Sequence, residues 1–130
     1  DMWKNQLNLD GLLNNVKFLG RKSGDQLVNW VASSSALIYV SYFEGFGLPV
    51  LEGMMSGVPV VTSNLTSMPE VGGDSVIYVD PFNEDSISQG MKKATGNNQE
   101  LIEKAFNQAE KFSWDKSALE VKDLLLNSKK

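Results

Sequence analysis

The sequence predicts an α/β fold, a parallel sheet with helices on both faces followed by a run of C-terminal helices. Three observations predict it. Short apolar runs that read as strands recur at Val16–Leu19, Ala36–Val40, Val58–Thr62 and Val76–Val79. Between them lie stretches whose apolar residues fall at helical spacing. After the fourth run, helical spacing alone continues to the end. Strands that alternate with helices are joined by crossover connections and so lie parallel.

The elements follow in order. Trp3, Leu7, Leu9, Leu12 and Leu13 with polar gaps read as the tail of a helix begun upstream, then a turn at Asp10-Gly11. Val16-Lys17-Phe18-Leu19 is a short strand closed by Gly20. Ser23 and Gln26 fit a capping box, in which the Ser hydroxyl accepts from the third helical N–H and the Gln reaches back. Leu27, Trp30 and Val31 then mark a helix over 24–33 with one buried stripe. Ala36–Val40 is continuously apolar, as suits a strand buried on both faces. The next helix starts near Leu48, with Pro49 where a lost N–H costs nothing, and ends at Gly57, a residue suited to the left-handed C-terminal position. Val58–Thr62 is a third strand, Thr66–Glu70 a loop or single turn, and Val76–Val79 a fourth strand ended by Asp80-Pro81.

Three helices fill the last third. Ile87, Met91 and Ala94 line the first; Leu101, Ala105, Phe106, Ala109 and Phe112 the second; Trp114, Ala118, Val121 and Leu125 the third. Asn97-Asn98 and Phe112-Ser113 are the breaks, and Ser113 is the expected N-cap. Trp30, Trp114, Phe106 and Phe112 are expected in the core, and the tail from Asn127 to Lys130 is expected to fray.

With 130 residues the chain reads as one domain over 1–130, long enough to hold its own core. Hydrophobic residues make up 42% and charged residues 22%, a globular profile. There is no Cys and no His. This excludes disulfides, thiolate metal sites, His ligands and any Ser-His-Asp triad, and it leaves carboxylates, Lys and Tyr as acid/base groups. The net charge of −4 does not point to nucleic acid. No G-x-G-x-x-G joins a strand to a helix, which argues against a nicotinamide-dependent oxidoreductase.

Parallel sheets bind ligands beyond the carboxyl ends of their strands, so chemistry is expected after Leu19, Ser41, Thr62 and Val79. The second of these loops carries most information: Glu44-Gly45-Phe46-Gly47-Leu48-Pro49-Val50-Leu51-Glu52. Gly45 and Gly47 allow turn angles and close backbone approach. Their N–H groups and that of Leu48 can face phosphate oxygens at a helix N-terminus. Glu52, about one helical turn in, can accept from the paired hydroxyls of a ribose. Glu44 can accept from sugar hydroxyls or steady positive charge at an anomeric carbon. Phe46 serves packing or site equally. Arg21 and Lys22 read first as a solvated basic pair. Glu70 and Asp80 read as turn or capping acids.

This arrangement resembles the group 1 glycosyltransferases, retaining enzymes built from two Rossmann-like domains in the GT-B fold. Their donor-side signature, E-x7-E, is matched by Glu44 and Glu52. Val16-Lys17-Phe18-Leu19-Gly20, Ser56-Gly57-Val58-Pro59-Val60-Val61, Met68-Pro69-Glu70-Val71, Val79-Asp80-Pro81 and Phe112-Ser113-Trp114 also resemble that family's segments, in its order and over nearly the whole chain. The resemblance implies that the chain is the C-terminal, donor-binding part of a longer hexosyltransferase. It makes Glu44 the candidate catalytic residue, in contact with the donor sugar. The backbones of Gly45, Phe46, Gly47 and Leu48 would hold sugar and β-phosphate, Glu52 the ribose, and Gly20-Arg21-Lys22 the base. The donor would be a UDP- or GDP-sugar, with no cofactor and no metal. In this family the leaving phosphate is thought to help deprotonate the acceptor, so no separate base is required.

Departures also follow from the comparison. The family has an upstream strand, a loop bearing an Arg and a Lys for the diphosphate, and an N-terminal acceptor domain, all outside this sequence. The fragment alone is therefore expected to be inactive, and a sheet lacking its first strand offers an edge for self-association. Gly53 stands where the family has Ala and would leave room beside the ligand. The acceptor, whether glycan, lipid-linked sugar or small metabolite, stays open. The expected location is the cytoplasm, with peripheral contact of the longer protein at the inner face of the membrane kept open. A non-catalytic nucleotide-binding or assembly module of the same fold is the alternative.

Overall fold

A computed structural model describes residues 2–127 of the chain. The side chains of Trp3 and Leu9 and the tail at 128–130 lie outside the described residues. The helices are α1 (Met2–Leu9), α2 (Gly24–Ala32), α3 (Leu48–Met55), α4 (Met68–Gly72), α5 (Glu84–Ala94), α6 (Gln99–Ala109) and α7 (Trp114–Asn127), with a 3-10 turn at Leu13–Asn15. The strands are β1 (Leu37–Tyr39), β2 (Val60–Ser63) and β3 (Ile77–Val79). They form one parallel sheet in the order β1-β2-β3, with Leu37 opposite Val60, Tyr39 opposite Thr62 and Ser63 opposite Val79.

Strand alternation sends neighbouring side chains to opposite faces, and each face carries its own core. On one, Val60 and Val76 meet Val50 and Met54 of α3, Met68 and Val71 of α4, and Ala105 and Ala109 of α6, flanked by Leu37, Tyr39 and Tyr78. On the other, Val61 and Val79 meet Ala94 of α5, flanked by Val40, Ile77 and Ile87. Only the central strand β2 is buried at every residue. In Ala36–Val40 Ile38 is exposed and the other residues are only half-buried, so the expected burial on both faces is a correction: β1 is an edge strand.

Residues 16–19 are a correction. Val16 is extended, at φ −119° and ψ 126°, but the segment forms no strand and pairs with nothing in the sheet. Strand propensity is a local preference, whereas a strand needs a ladder partner. Phe18 stays exposed, with the Lys4 ammonium 5.2 Å from its ring centre. Lys17 similarly lies 5.3 Å from the ring of Trp30. The sheet therefore has three strands among the described residues, and β1 is an edge. Thr66–Glu70, read as a loop or single turn, leads instead into the short helix α4.

Helix ends follow their local chemistry. Gly57 takes φ +73°, with its N–H on Met54 O and that of Val58 on Gly53 O, a Schellman ending for α3. Gly11 takes φ +70° at the turn expected after α1. Gln26 Oε1 accepts from the Ser23 N–H at 3.3 Å, and Ser113 Oγ accepts from the Lys116 N–H at 3.1 Å. Gly53 answers the sheet and not a ligand. A Cβ there would lie 2.6 Å from Leu37 Cδ2 and 2.8 Å from Val60 Cγ2, so its absence lets α3 settle onto the strands. Among the described residues no helix is long and apolar enough to cross a membrane.

The aromatic residues expected in the core are largely outside it. Trp30, Phe106 and Trp114 are exposed, Trp114 to 83%. Phe112 is half-buried. The stripes of α2 and α7 are apolar, but neither helix has a buried residue, so the buried stripe expected of 24–33 is a correction.

Candidate functional site

Because the strands are parallel, their carboxyl ends share one edge of the sheet, and three following loops meet there. Glu44, after β1, donates its N–H to Thr66 Oγ1 at 3.2 Å, and its carbonyl accepts from Ser67 Oγ at 3.0 Å. Both partners belong to the loop after β2. Tyr42 and Phe82, after β1 and β3, stack with ring centres 4.9 Å apart. Asp80 Oδ1 accepts from the Phe82 N–H at 2.9 Å, the turn role read for that acid.

The Glu44 carboxylate is half-buried. Its Oε1 accepts a hydrogen bond from the Tyr39 hydroxyl, and a second from Ser41 Oγ at 3.4 Å. The Tyr39 phenol is pushed above its usual range, chiefly by donating to Glu44, then by burial and by the Glu44 charge.

Gly47 caps α3 in the left-handed region, at φ 100° and ψ 42°. It is buried, and a Cβ there would lie 2.9 Å from Met68 Cε. Gly47 is thus required by both backbone and space. Gly45 is not: its φ is not left-handed, and a Cβ would meet nothing within 4 Å. The special turn expected of both glycines belongs to one of them.

Among the described residues, the backbone N–H groups of Gly45, Phe46, Gly47 and Leu48 donate no hydrogen bond inside the protein. The first internal bond of α3 runs from Val50 N to Gly47 O at 2.9 Å. Four consecutive donors are therefore left without an internal acceptor where the helix adds partial positive charge of about half a unit. Glu52 lies one turn further along α3, exposed, with no hydrogen bond to its carboxylate among the described residues. Phe46 has the packing contact read for it, meeting Phe112 edge-on with ring centres 5.7 Å apart, and is 41% exposed.

Gly20, Arg21 and Lys22 are exposed, with Gly20 at φ +64°. No hydrogen bond or ion pair among the described residues joins them to the Glu44–Glu52 segment. Their nearest structural link is α2, which packs on α3. Sequence reasoning missed Tyr39, Thr66 and Ser67. Tyr39 carried a signal, a hydroxyl inside the apolar run Ile38-Tyr39-Val40. Thr66 and Ser67 had none, because their contact depends on the path of a loop.

The family model described as glycosyl transferases group 1 matches residues 1–112. O-antigen chain mannosyltransferase B of Escherichia coli is 38% identical over 103 residues, covering 77% of this chain and 27% of that protein. D-inositol 3-phosphate glycosyltransferase of Streptomyces bingchenggensis is 29% identical over 119 residues, covering 88% of this chain and 26% of its own. Sucrose-phosphate synthase of Thermosynechococcus elongatus superposes with a TM-score of 0.87 at 19% identity, over 96% of this chain and 33% of that one. That likeness shows the fold alone, an α/β domain matching a third of that GT-B chain. The chain spans about a quarter of the length of these two curated relatives. On the family match and its extent, the chain belongs to the group 1 glycosyltransferases.

Proposed function

We propose that this chain forms the donor-nucleotide side of a retaining hexosyltransferase that uses a UDP- or GDP-sugar. The observation that carries the reading is the row of four N–H donors without an internal acceptor leading into α3, with Glu44 before it and Glu52 after it. A leaving diphosphate gathers negative charge as the glycosidic bond breaks. Fixed donors aimed at that charge stabilise the transition state more than the ground state. The helix end adds about 0.3–1 kcal/mol. Glu52 accepts from the ribose hydroxyls, and Glu44 from the donor sugar. Gly20, Arg21 and Lys22 meet the base, partly through backbone groups. No metal or cofactor is required by this scheme.

The E. coli relative is named for mannose and for the O-antigen chain. This supports mannose as the first hexose to try and a growing glycan as the acceptor. The protein would act in the cytoplasm, in contact with a nucleotide sugar and with an acceptor domain beyond this chain.

Two substitutions in the full-length protein separate the roles. Glu52→Ala should weaken nucleoside diphosphate binding about ten-fold, the scale of lost hydrogen bonds to a charged group. Glu44→Ala should lower turnover about 100-fold and move nucleotide affinity little, because it misplaces the sugar alone. Unchanged affinity in the first removes the ribose role. Equal loss of affinity and turnover in the second makes Glu44 a binding residue only.

A further inference from the structure

We propose that Tyr39 is a positioning residue, whose hydroxyl ties down Oε1 of Glu44 and so presents Oε2 to the donor sugar. This rests on the reading of Glu44 as the sugar-contacting carboxylate.

The two oxygens of Glu44 are not equivalent. Oε1 takes the Tyr39 hydroxyl and Ser41 Oγ, while no hydrogen bond among the described residues reaches Oε2. A carboxylate can accept about four hydrogen bonds, so a side with no internal donor is available to ligand hydroxyls.

The hydroxyl is the part of Tyr39 that packing does not need. Its ring lies against the core of Val50, Met54 and Val60, a place that Phe would fill equally. Among the described residues its hydroxyl has one partner, Glu44. The donor also stands on firm ground. Tyr39 is in the β1–β2 ladder opposite Thr62, and Thr62 Oγ1 donates to its carbonyl at 2.8 Å. Glu44 itself is on a loop, so a strand residue supplies the fixed point.

The loop is held from the far side too. Thr66 and Ser67 bracket the Glu44 backbone at 3.2 and 3.0 Å. Thr66 does so at φ 52°, a left-handed angle that a β-branched residue rarely adopts. Such a conformation persists only where surrounding contacts enforce it. With the backbone bracketed, the freedom left to Glu44 is rotation of its side chain, and Tyr39 removes it. Because the phenol is pushed above its usual range, it remains a donor throughout the neutral and mildly alkaline range.

The test uses the full-length protein, with UDP-glucose and GDP-mannose as probes and UDP and GDP as their sugar-free counterparts. Tyr39→Phe should leave UDP and GDP affinity within two-fold of wild type, which also shows that the fold is intact. It should lower kcat for release of nucleoside diphosphate about ten-fold, the scale of one hydrogen bond to a charged group. In a Glu44→Ala background the same change should cause no further loss, because the carboxylate it positions is gone. A Tyr39→Phe variant with wild-type kcat, beside a crippled Glu44→Ala, overturns the positioning role and leaves the donor reading standing. A fully active Glu44→Ala, or a wild-type protein that binds neither nucleotide sugar, overturns the donor reading and this proposal together. Equal Tyr39→Phe losses in both backgrounds would mean the hydroxyl acts independently of Glu44 and would also overturn it.

Discussion

Between Leu37 and Ala109, strands and helices close around two cores, one on each face of the sheet. The helices on either side of that stretch, α2 and α7, bury no residue at all, although both carry apolar stripes at helical spacing. In α7, Trp114, Leu124 and Leu125 are exposed; in α2, Leu27, Val28 and Trp30 are. The difference teaches that an amphipathic period states which side of a helix is apolar, while burial depends on a neighbour to receive it. In α3, Gly53 allows the approach to β1 and β2. In α5, Gly90 does the same, since a Cβ there would lie 2.4 Å from Val79 Cγ1. Neither α2 nor α7 has a comparable fit to the sheet.

The comparison can be broken by stability measurements. Met54 is fully buried, so Met54→Ala should cost about 2–5 kcal/mol, read from the chemical denaturation midpoint. Leu124 is 71% exposed, and Leu124→Ala should change stability by no more than about 0.5 kcal/mol. Similar losses at the two sites would show that α7 is packed in solution and would erase the contrast.

The smallest effect is expected at the surface of α6, on the packed side of the comparison. Glu100 and Lys104 pair at 2.9 Å, and the Lys104 hydrogen bond holds the Glu100 carboxyl below its usual range. A carboxyl lowered by folding contributes stability above its unfolded pKa and loses it as pH falls through the lower folded value. This pair lies on the surface, so Glu100→Gln should leave the denaturation midpoint unmoved at neutral pH and physiological salt. A clear drop at pH 7 that disappears in acid would show that surface pairing helps hold α6 in place.

Much of the packed half was legible because its signals are local. Gly57 ended α3, Ser113 capped α7 and the alternation of elements gave a parallel sheet. Local chemistry also explains one displaced boundary. The strand read from Val58 begins at Val60, because Pro59 has no N–H to offer a ladder and contributes only its carbonyl, to Leu37 N at 2.9 Å. What was not legible depends on contacts distant in the chain. The segment 16–19 has strand composition but no partner. Phe106, read as core, lies on the surface with its ring beside Gly57, where a Cβ would be 3.1 Å from Phe106 Cζ. In the candidate site, Glu44, Gly47 and Glu52 are singled out by spacing and residue type alone. Tyr39 had a local signal, its hydroxyl within an apolar run, whereas the Thr66–Ser67 bracket could be found only once the loops after β1 and β2 were seen together.

The central claim is that the row of N–H donors opening α3 receives a nucleoside diphosphate. Its most direct test follows backbone amide chemical shifts of the full-length protein during titration with UDP, GDP and ADP. The account predicts saturable shifts at Gly45, Phe46, Gly47, Leu48 and Glu52, with UDP or GDP preferred over ADP. Saturable binding that leaves these amides unmoved would place the nucleotide elsewhere and contradict the account.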